Sequence, residues 1–477
     1  MSQKNETTLL LLSFAVTLAF LGGGLWWFTS HSGKNLGTLT GNQTSATPTT
    51  SPEATASRNQ PVQERISAGE RLLIPSQTTP EKQAAAEAIS AGDYQGAVSN
   101  LEASLKRVQN DPEARIYLNN ARIGNQTSFA IAASVPIGSD EDVAKELLRG
   151  VAQAQNEVNQ AGGVQGVPLK VLIANDDNNP DVAEQVAKYL VDNSNALGVI
   201  GNFGSDVTLA AGKVYQQGQL VLISPTSTSV QLSGAGSYIF RTVPSDRFAG
   251  NALSRYMLET LQKKKAAVFF NSESNYSKSL KDVFTTDLVG NGGEVIAEFD
   301  FKSPNFNVAD AVQQAIDQNA EVLMLAPNSA VLDQALQVVQ VNEKRLPVLA
   351  GDSAYNPKTL QVGRGNAVDM VVAVPWHILG NPQAEFPKAA NQLWGGEVNW
   401  RTAMAYDAAK ALIGAIERNP SRIGVQQALS TPAFSVNGAA APIRFLPSGD
   451  RNQPVQLVTI QAGTRTNLPY EFVPVPK

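Results

Sequence analysis

The chain has 477 residues, a formal net charge of −5, two histidines and no cysteine. Without cysteine there is no thiol nucleophile, no disulfide framework and no N-terminal residue of the kind a bacterial lipoprotein acylates. His31 and His377 lack the spacing of a ligand pair and no long basic run occurs, so no metal, no cofactor and no nucleic-acid partner is expected.

After a tail at 1–7, Thr8 to Phe28 is uncharged and apolar, about 31 Å long as a helix, which matches the hydrocarbon core of a bilayer. Trp26 and Trp27 sit like an interfacial belt and no small-residue cleavage site follows, so 8–28 reads as a transmembrane signal anchor; a cleavable signal peptide is the competing reading. Residues 29–79 are expected to be a disordered linker, because the stretch to about Arg65 is rich in Ser, Thr, Asn, Gln and Pro and poor in large apolar residues. From Pro80 the periodicity turns helical. Three helices separated by Gly92-Asp93-Tyr94 and Asp111-Pro112, with Ala97, Leu101 and Leu105 on one face, make 80–124 resemble one tetratricopeptide repeat plus the first helix of another; an ordinary helical spacer is the alternative.

Phe129 to Val135 alternates as a strand and opens a βαβ unit. Acids at 140–142 suit the N-terminus of the following helix, and Asp176-Asp177-Asn178-Asn179-Pro180 reads as an Asx-turn. Leu197 to Ile200 is a buried parallel strand, the loop Gly201 to Ser205 follows, and Asp206 to Gln216 is the next helix. Ser205 therefore lies beside a helix N-terminus, where unpaired N–H groups and the dipole suit a carboxylate or phosphate. Leu220 to Ser224 ends at Pro225 and is followed by Thr226, Ser227, Thr228 and Ser229. Ligands of doubly wound sheets lie off the carboxyl ends of strands, so the two hydroxyl clusters should face one crevice; plain caps and turns are the structural alternative. The strands AAVFFN, VIAEFDF, EVLMLAP, PVLAGD and MVVAVPW alternate with helices and argue for a second parallel sheet. Tyr276, Asn328 and Asp352 follow three of its strand ends. PIRFLPSGDRNQPVQLVTIQAG reads as a terminal hairpin turning at Ser448-Gly449-Asp450.

The segments VIGNFGSDVTLAAGKVY, VLISPTSTSVQL and YIFRT resemble the first-lobe core of type I periplasmic binding proteins, the group containing the leucine/isoleucine/valine-binding receptors of ABC transporters. The resemblance runs from about Phe129 to the C-terminus. It implies an α/β, two-lobed type I periplasmic-binding-protein fold, each lobe a mostly parallel sheet flanked by helices, behind a short N-terminal α-helical segment. Lobe 1 would hold 125–243 and 375–434, and lobe 2 would hold 244–374 and 435–477. The chain would cross at Thr242 to Asp246 and return at Pro375 to Leu379 into the long helix RTAMAYDAAKALIGAIERN. Carried over position by position, Ser205, Ser227 and Thr228 would hold an α-carboxylate, while Tyr276 and Asp352 would bind the amino group and cover the ligand, with Asn328 beside them. Hydroxyl and backbone donors would neutralise the anion without a basic residue. Asn328-Ser329 stands where branched-chain receptors can carry aromatics, so a branched-chain preference is not implied.

These features lead to the expectation of an extracytoplasmic solute-binding receptor of an ABC transporter, not an enzyme, capturing an amino-acid-like or amide ligand by hinge closure. It would be a monomer with a single N-terminal anchor in the inner membrane, its bulk in the periplasm or extracytoplasmic space, serving an ABC permease. The alternative is a ligand-free regulatory protein of the cell envelope, resembling regulators of peptidoglycan synthases, or a sensory receptor on the same fold. An acyl-transfer triad is not available, because the histidines are wrongly placed and no G-x-S-x-G motif occurs.

Overall fold

The computed structural model describes residues 60–476. The proposed anchor at 8–28 and the part of the linker at 29–59 lie outside the described residues. Among the described residues no helix is long and apolar enough to cross a membrane.

The first sheet contains β1 (Ile66–Ser67), β2 (Phe129–Val135), β3 (Leu169–Asn175), β4 (Gly198–Ile200), β5 (Val221–Ser224) and β6 (Ile239–Arg241) in the order β1-β3-β2-β4-β5-β6. All pairs are parallel except β1 with β3. The second contains β7 (Lys265–Phe270), β8 (Glu294–Asp300), β9 (Val322–Ala326), β10 (Val348–Ala350), β11 (Val371–Val374), β12 (Gln456–Ala462) and β13 (Tyr470–Pro474) in the order β13-β12-β11-β10-β9-β7-β8. Its first five strands are parallel, and β12 and β13 add antiparallel at the β11 edge. Central strands such as VLIS and VLMLA are buried along their whole length, as parallel strands covered on both faces must be. Helices fill the layers on either side, so the fold is the two-lobed α/β type expected.

Both parallel cores run in the same order: β3-β2-β4-β5-β6 in one sheet and β8-β7-β9-β10-β11 in the other. The order reverses between β2 and β4, and again between β7 and β9. At these points the connecting loops diverge to opposite faces and leave a crevice beyond the carboxyl ends of the strands. The sheets are joined by the 242–246 segment, by the stretch after β11, and by residues 451–456.

Helices Glu141–Gln160 and Trp400–Arg418 pack side by side against the first sheet. Their backbones approach at Gly150, where a Cβ would lie 2.2 Å from the Thr402 carbonyl oxygen and 2.5 Å from the Tyr406 nitrogen.

Residues 60–79 are not a linker. Ile66 pairs with Ala174 at the edge of the first sheet, and the buried Arg65 guanidinium meets Asp177 at 2.7 Å. Ile74 is fully buried, and the Glu113 carboxylate accepts from the backbone nitrogens of Leu73 (2.6 Å) and Ile74 (3.3 Å). The polar composition upstream masked ISAGERLLIP, whose apolar residues are numerous enough to dock.

The three helices of the next segment form at Pro80–Ser90, Tyr94–Arg107 and Pro112–Ile123, each started by a side-chain cap from Thr79, Asp93 or Asp111. The third helix is buried against β3 and the 141–160 helix. Asn120 donates to the carbonyls of Ala68 and Val171, both at 2.8 Å, and accepts from the Val171 nitrogen at 3.1 Å. The segment is therefore built into the first lobe as a buttress.

Near the C-terminus the antiparallel hairpin is β12 with β13, and its turn spans 463–469 rather than Ser448-Gly449-Asp450. The latter turn docks on the first sheet instead: the Arg241 nitrogen donates to the Gly449 carbonyl at 3.0 Å, and the Arg241 guanidinium pairs with Asp450 at 2.6 Å. The Asp407 carboxylate accepts from the Ala439 nitrogen and pairs with Arg451. Residues 435–451 thus pack with lobe 1, not lobe 2, because the buried Asp407 of lobe 1 takes its partners, Ala439 and Arg451, from that stretch, and Asp450 within it takes Arg241 of β6.

Candidate functional site

A cleft of about 440 Å³ opens between the two sheets at their reversal points. Ser205, Tyr276, Asn328 and Asp352 line it together, contributed by the loops after β4, β7, β9 and β10. Two lobes therefore supply polar groups to one cavity.

On the first-lobe side the helix Ser205–Gln217 points its N-terminus into the cleft. Its N-cap is Gly204, which offers no side-chain acceptor, so the first-turn N–H groups keep their donor capacity. Ser205 is buried, and its hydroxyl accepts weakly from the Ser229 nitrogen at 3.4 Å. The loop is fixed from below: Asn178 accepts from the Gly204 nitrogen at 3.1 Å, and Asp176 accepts from Ser134 (2.9 Å) and from Asn202 (2.7 Å). Asp176 thus holds the turn together while Asp177 pairs with Arg65, neither enters the lining, and Asp140 caps its helix through the Val143 nitrogen.

Ser227 and Thr228 do not line the cleft. The Ser227 hydroxyl is used up inside the loop, 2.6 Å from that of Thr208 and 3.2 Å from the Phe203 carbonyl. Thr228 lies beneath the floor, its carbonyl accepting from the Asp246 nitrogen at 2.8 Å. Their neighbour Thr226 lines the cavity in their place, with its hydroxyl donating to the Phe203 carbonyl at 2.9 Å. A run of four hydroxyl residues does not show which of them faces the crevice, because the loop is irregular and has no period to follow.

On the second-lobe side the Tyr276 hydroxyl donates to Asp352 at 2.6 Å. Gly351 leaves room for it, since a Cβ there would lie 2.4 Å from the tyrosine oxygen. Burial pushes the Asp352 carboxyl up to about 6, opposed by the Tyr276 hydrogen bond and the Arg401 charge. Asn328 accepts from the Asn271 amide at 2.9 Å, which fixes its orientation at the rim.

Three residues that the sequence reading did not single out complete the surroundings. Trp400 and Arg401, in the first turn of the long returning helix, line the cleft, with the guanidinium 4.6 Å from the indole centroid. A basic residue is thus present where none was expected, and so is an aromatic. Asp246, at the crossing between lobes, is buried and its carboxyl is pushed up to about 7 by desolvation, with Asp352 adding repulsion. Asn399 before the 400–418 helix was a readable capping signal, but nothing marked that helix's N-terminus as part of the cavity. His377, by contrast, is packed away, fully buried with Nδ1 accepting from the Leu379 nitrogen at 3.2 Å.

The lobes already touch. Asp206 reaches across the cleft and accepts from the Asn275 nitrogen at 3.3 Å, the Val230 nitrogen donates to Ser279 at 2.9 Å, and Arg401 donates to the Tyr355 carbonyl at 3.3 Å.

Two parallel lobes around a polar interlobe cavity define the class of the two-lobed binding proteins. The chain belongs to the periplasmic binding protein family, whose model matches residues 132–465. An amino acid binding protein of Pseudomonas aeruginosa is 33% identical over 152 residues, which is 32% of this chain and 40% of the relative's own length. A leucine-specific-binding protein of Salmonella typhimurium is 23% identical over 314 residues, covering 64% of this chain and 82% of the relative. Among solved structures, a leucine binding protein of Thermotoga maritima shares the fold with a TM-score of 0.64 at 22% identity, covering 72% of this chain and 97% of that chain.

Proposed function

We propose that this protein is a solute-binding receptor that captures an amino-acid-like or amide ligand by closure of its lobes and delivers it to an ABC permease, with no chemistry performed on the ligand. One observation carries the reading: a helix N-terminus at Ser205 and the Tyr276–Asp352 pair face the same cavity from opposite lobes. The N-terminal end suits an α-carboxylate and the carboxylate suits an α-ammonium, so a zwitterion gains both contacts only when the lobes are together. Relatives named for amino-acid binding support the ligand class. Family membership supports a place outside the cytoplasmic membrane, and the 8–28 segment would be the anchor that holds the receptor there.

A melting screen of the full-length chain against the common amino acids and small amides tests this. At a hundredfold excess over Kd a true ligand stabilises the folded form by about 2.7 kcal/mol, a readable upward shift. No shift with any member of the panel would remove the receptor reading. A Kd near 1 μM, about −8 kcal/mol, is the strength expected for capture followed by release.

A further inference from the structure

We infer that the cleft selects an amino acid whose side chain ends in an oxygen acceptor, a carboxylate or a carboxamide, and that Arg401 is the residue that reads it. This rests on the receptor reading above.

Arg401 is 3% exposed yet lines the cleft. Both of its described side-chain hydrogen bonds leave from Nη1, to Glu146 at 3.4 Å and to the Tyr355 carbonyl at 3.3 Å, and both are long for a charged donor. Its Nε makes no hydrogen bond among the described residues, and neither does the buried indole nitrogen of Trp400 next to it. Two consecutive residues on the cavity wall thus carry buried donors without acceptors. Leaving such a donor unmet costs about 1–3 kcal/mol, more for a charged group, so an acceptor brought to this corner of the cleft is favoured.

A hydrocarbon side chain offers these donors no acceptor. A carboxylate or carboxamide oxygen supplies an acceptor to the planar guanidinium, whose Nη2 makes no hydrogen bond among the described residues. Glu146 already neutralises part of the arginine charge, so both the charged and the neutral acceptor fit. Sites built to hydrogen-bond a ligand group discriminate strongly against analogues lacking it. The cleft should therefore disfavour leucine.

Isothermal titration of the full-length chain with L-glutamate, L-glutamine and L-leucine decides the matter. The better of the two polar ligands is expected to bind at least about tenfold tighter than leucine. Arg401→Met should bring the two within about threefold by weakening the polar ligand, and Arg401→Lys should restore part of the gap. Leucine binding as tightly as the better polar amino acid, or a preference unchanged in Arg401→Met, overturns the inference while leaving the receptor reading standing. No binding of any of the three overturns this inference, and a melting screen without a hit overturns the receptor reading as well. Should Arg401→Met fail to fold because Glu146 loses its partner, the wild-type preference and the lysine variant still settle the outcome.

Discussion

At Asp352 a single carboxylate is asked to do two things, accept from Tyr276 and remain able to meet a cation. Asp352→Asn keeps the volume and an oxygen for the tyrosine, so the unliganded melting temperature should hardly move. Ligand affinity, measured by titration, should fall by at least about thirtyfold, roughly 2 kcal/mol, as expected for a lost charged hydrogen bond. Because the ammonium of a ligand needs the ionised form and the folded pKa is raised to about 6, affinity should increase with pH up to about 6 and then level off. A titration at pH 5 should read about tenfold weaker than at pH 7. Stability of the unliganded protein runs the other way. Asp246 and Asp352 hold protons more tightly folded than unfolded, pushed from the ordinary 3.8 up to about 7 and about 6, so their contribution is lost as pH rises through that window. Both acids are buried where the lobes meet, and sequence revealed one of them. Asp352 stood at the end of an apolar strand, a position with a rule attached, whereas Asp246 stood in the polar crossing segment, where an acid usually faces water. Arg401 was hidden for the same reason: a charge in the first turn of an amphipathic helix usually faces water.

Elements were more legible than their partners. Strand and helix periods located both parallel sheets, and the hydroxyl-rich loop after β5 was placed at the crevice, though not which of its side chains would reach it. Short docking segments were lost. Two residues of β1 and one buried isoleucine are too few to raise a periodic signal, and the Ser448-Gly449-Asp450 turn gave no hint that its true partner is Arg241, distant in sequence. The contact between the 141–160 and 400–418 helices was likewise invisible, although it fixes where Trp400 and Arg401 stand. Gly150→Ala should show this. The added methyl meets backbone, which cannot step aside, and about 2 kcal/mol or more of stability should be lost in urea unfolding. A midpoint unchanged from wild type would mean that the helices are free to slide apart.

Across the whole molecule the lobes are balanced by few direct links, and Asp206 at the cavity wall is the most exposed to manipulation. Asp206→Ala removes the acceptor for the Asn275 nitrogen in the facing lobe, worth about 1 kcal/mol, so ligand affinity should weaken by roughly fivefold. Small-angle scattering of the unliganded variant should register a larger radius of gyration than wild type. Equal radii and equal affinity would show that this bridge contributes nothing to closure.

Two of the three crossings are riveted together: Arg241 before the first grips Asp450, and Arg451 at the start of the third reaches the Thr242 carbonyl at 3.5 Å as well as Asp407. Paired struts of this kind leave a swinging door one pivot line and forbid it to shear. Ligands of different bulk would then alter how far the door swings and never the direction, so any surface that senses closure could judge occupancy from a single angle.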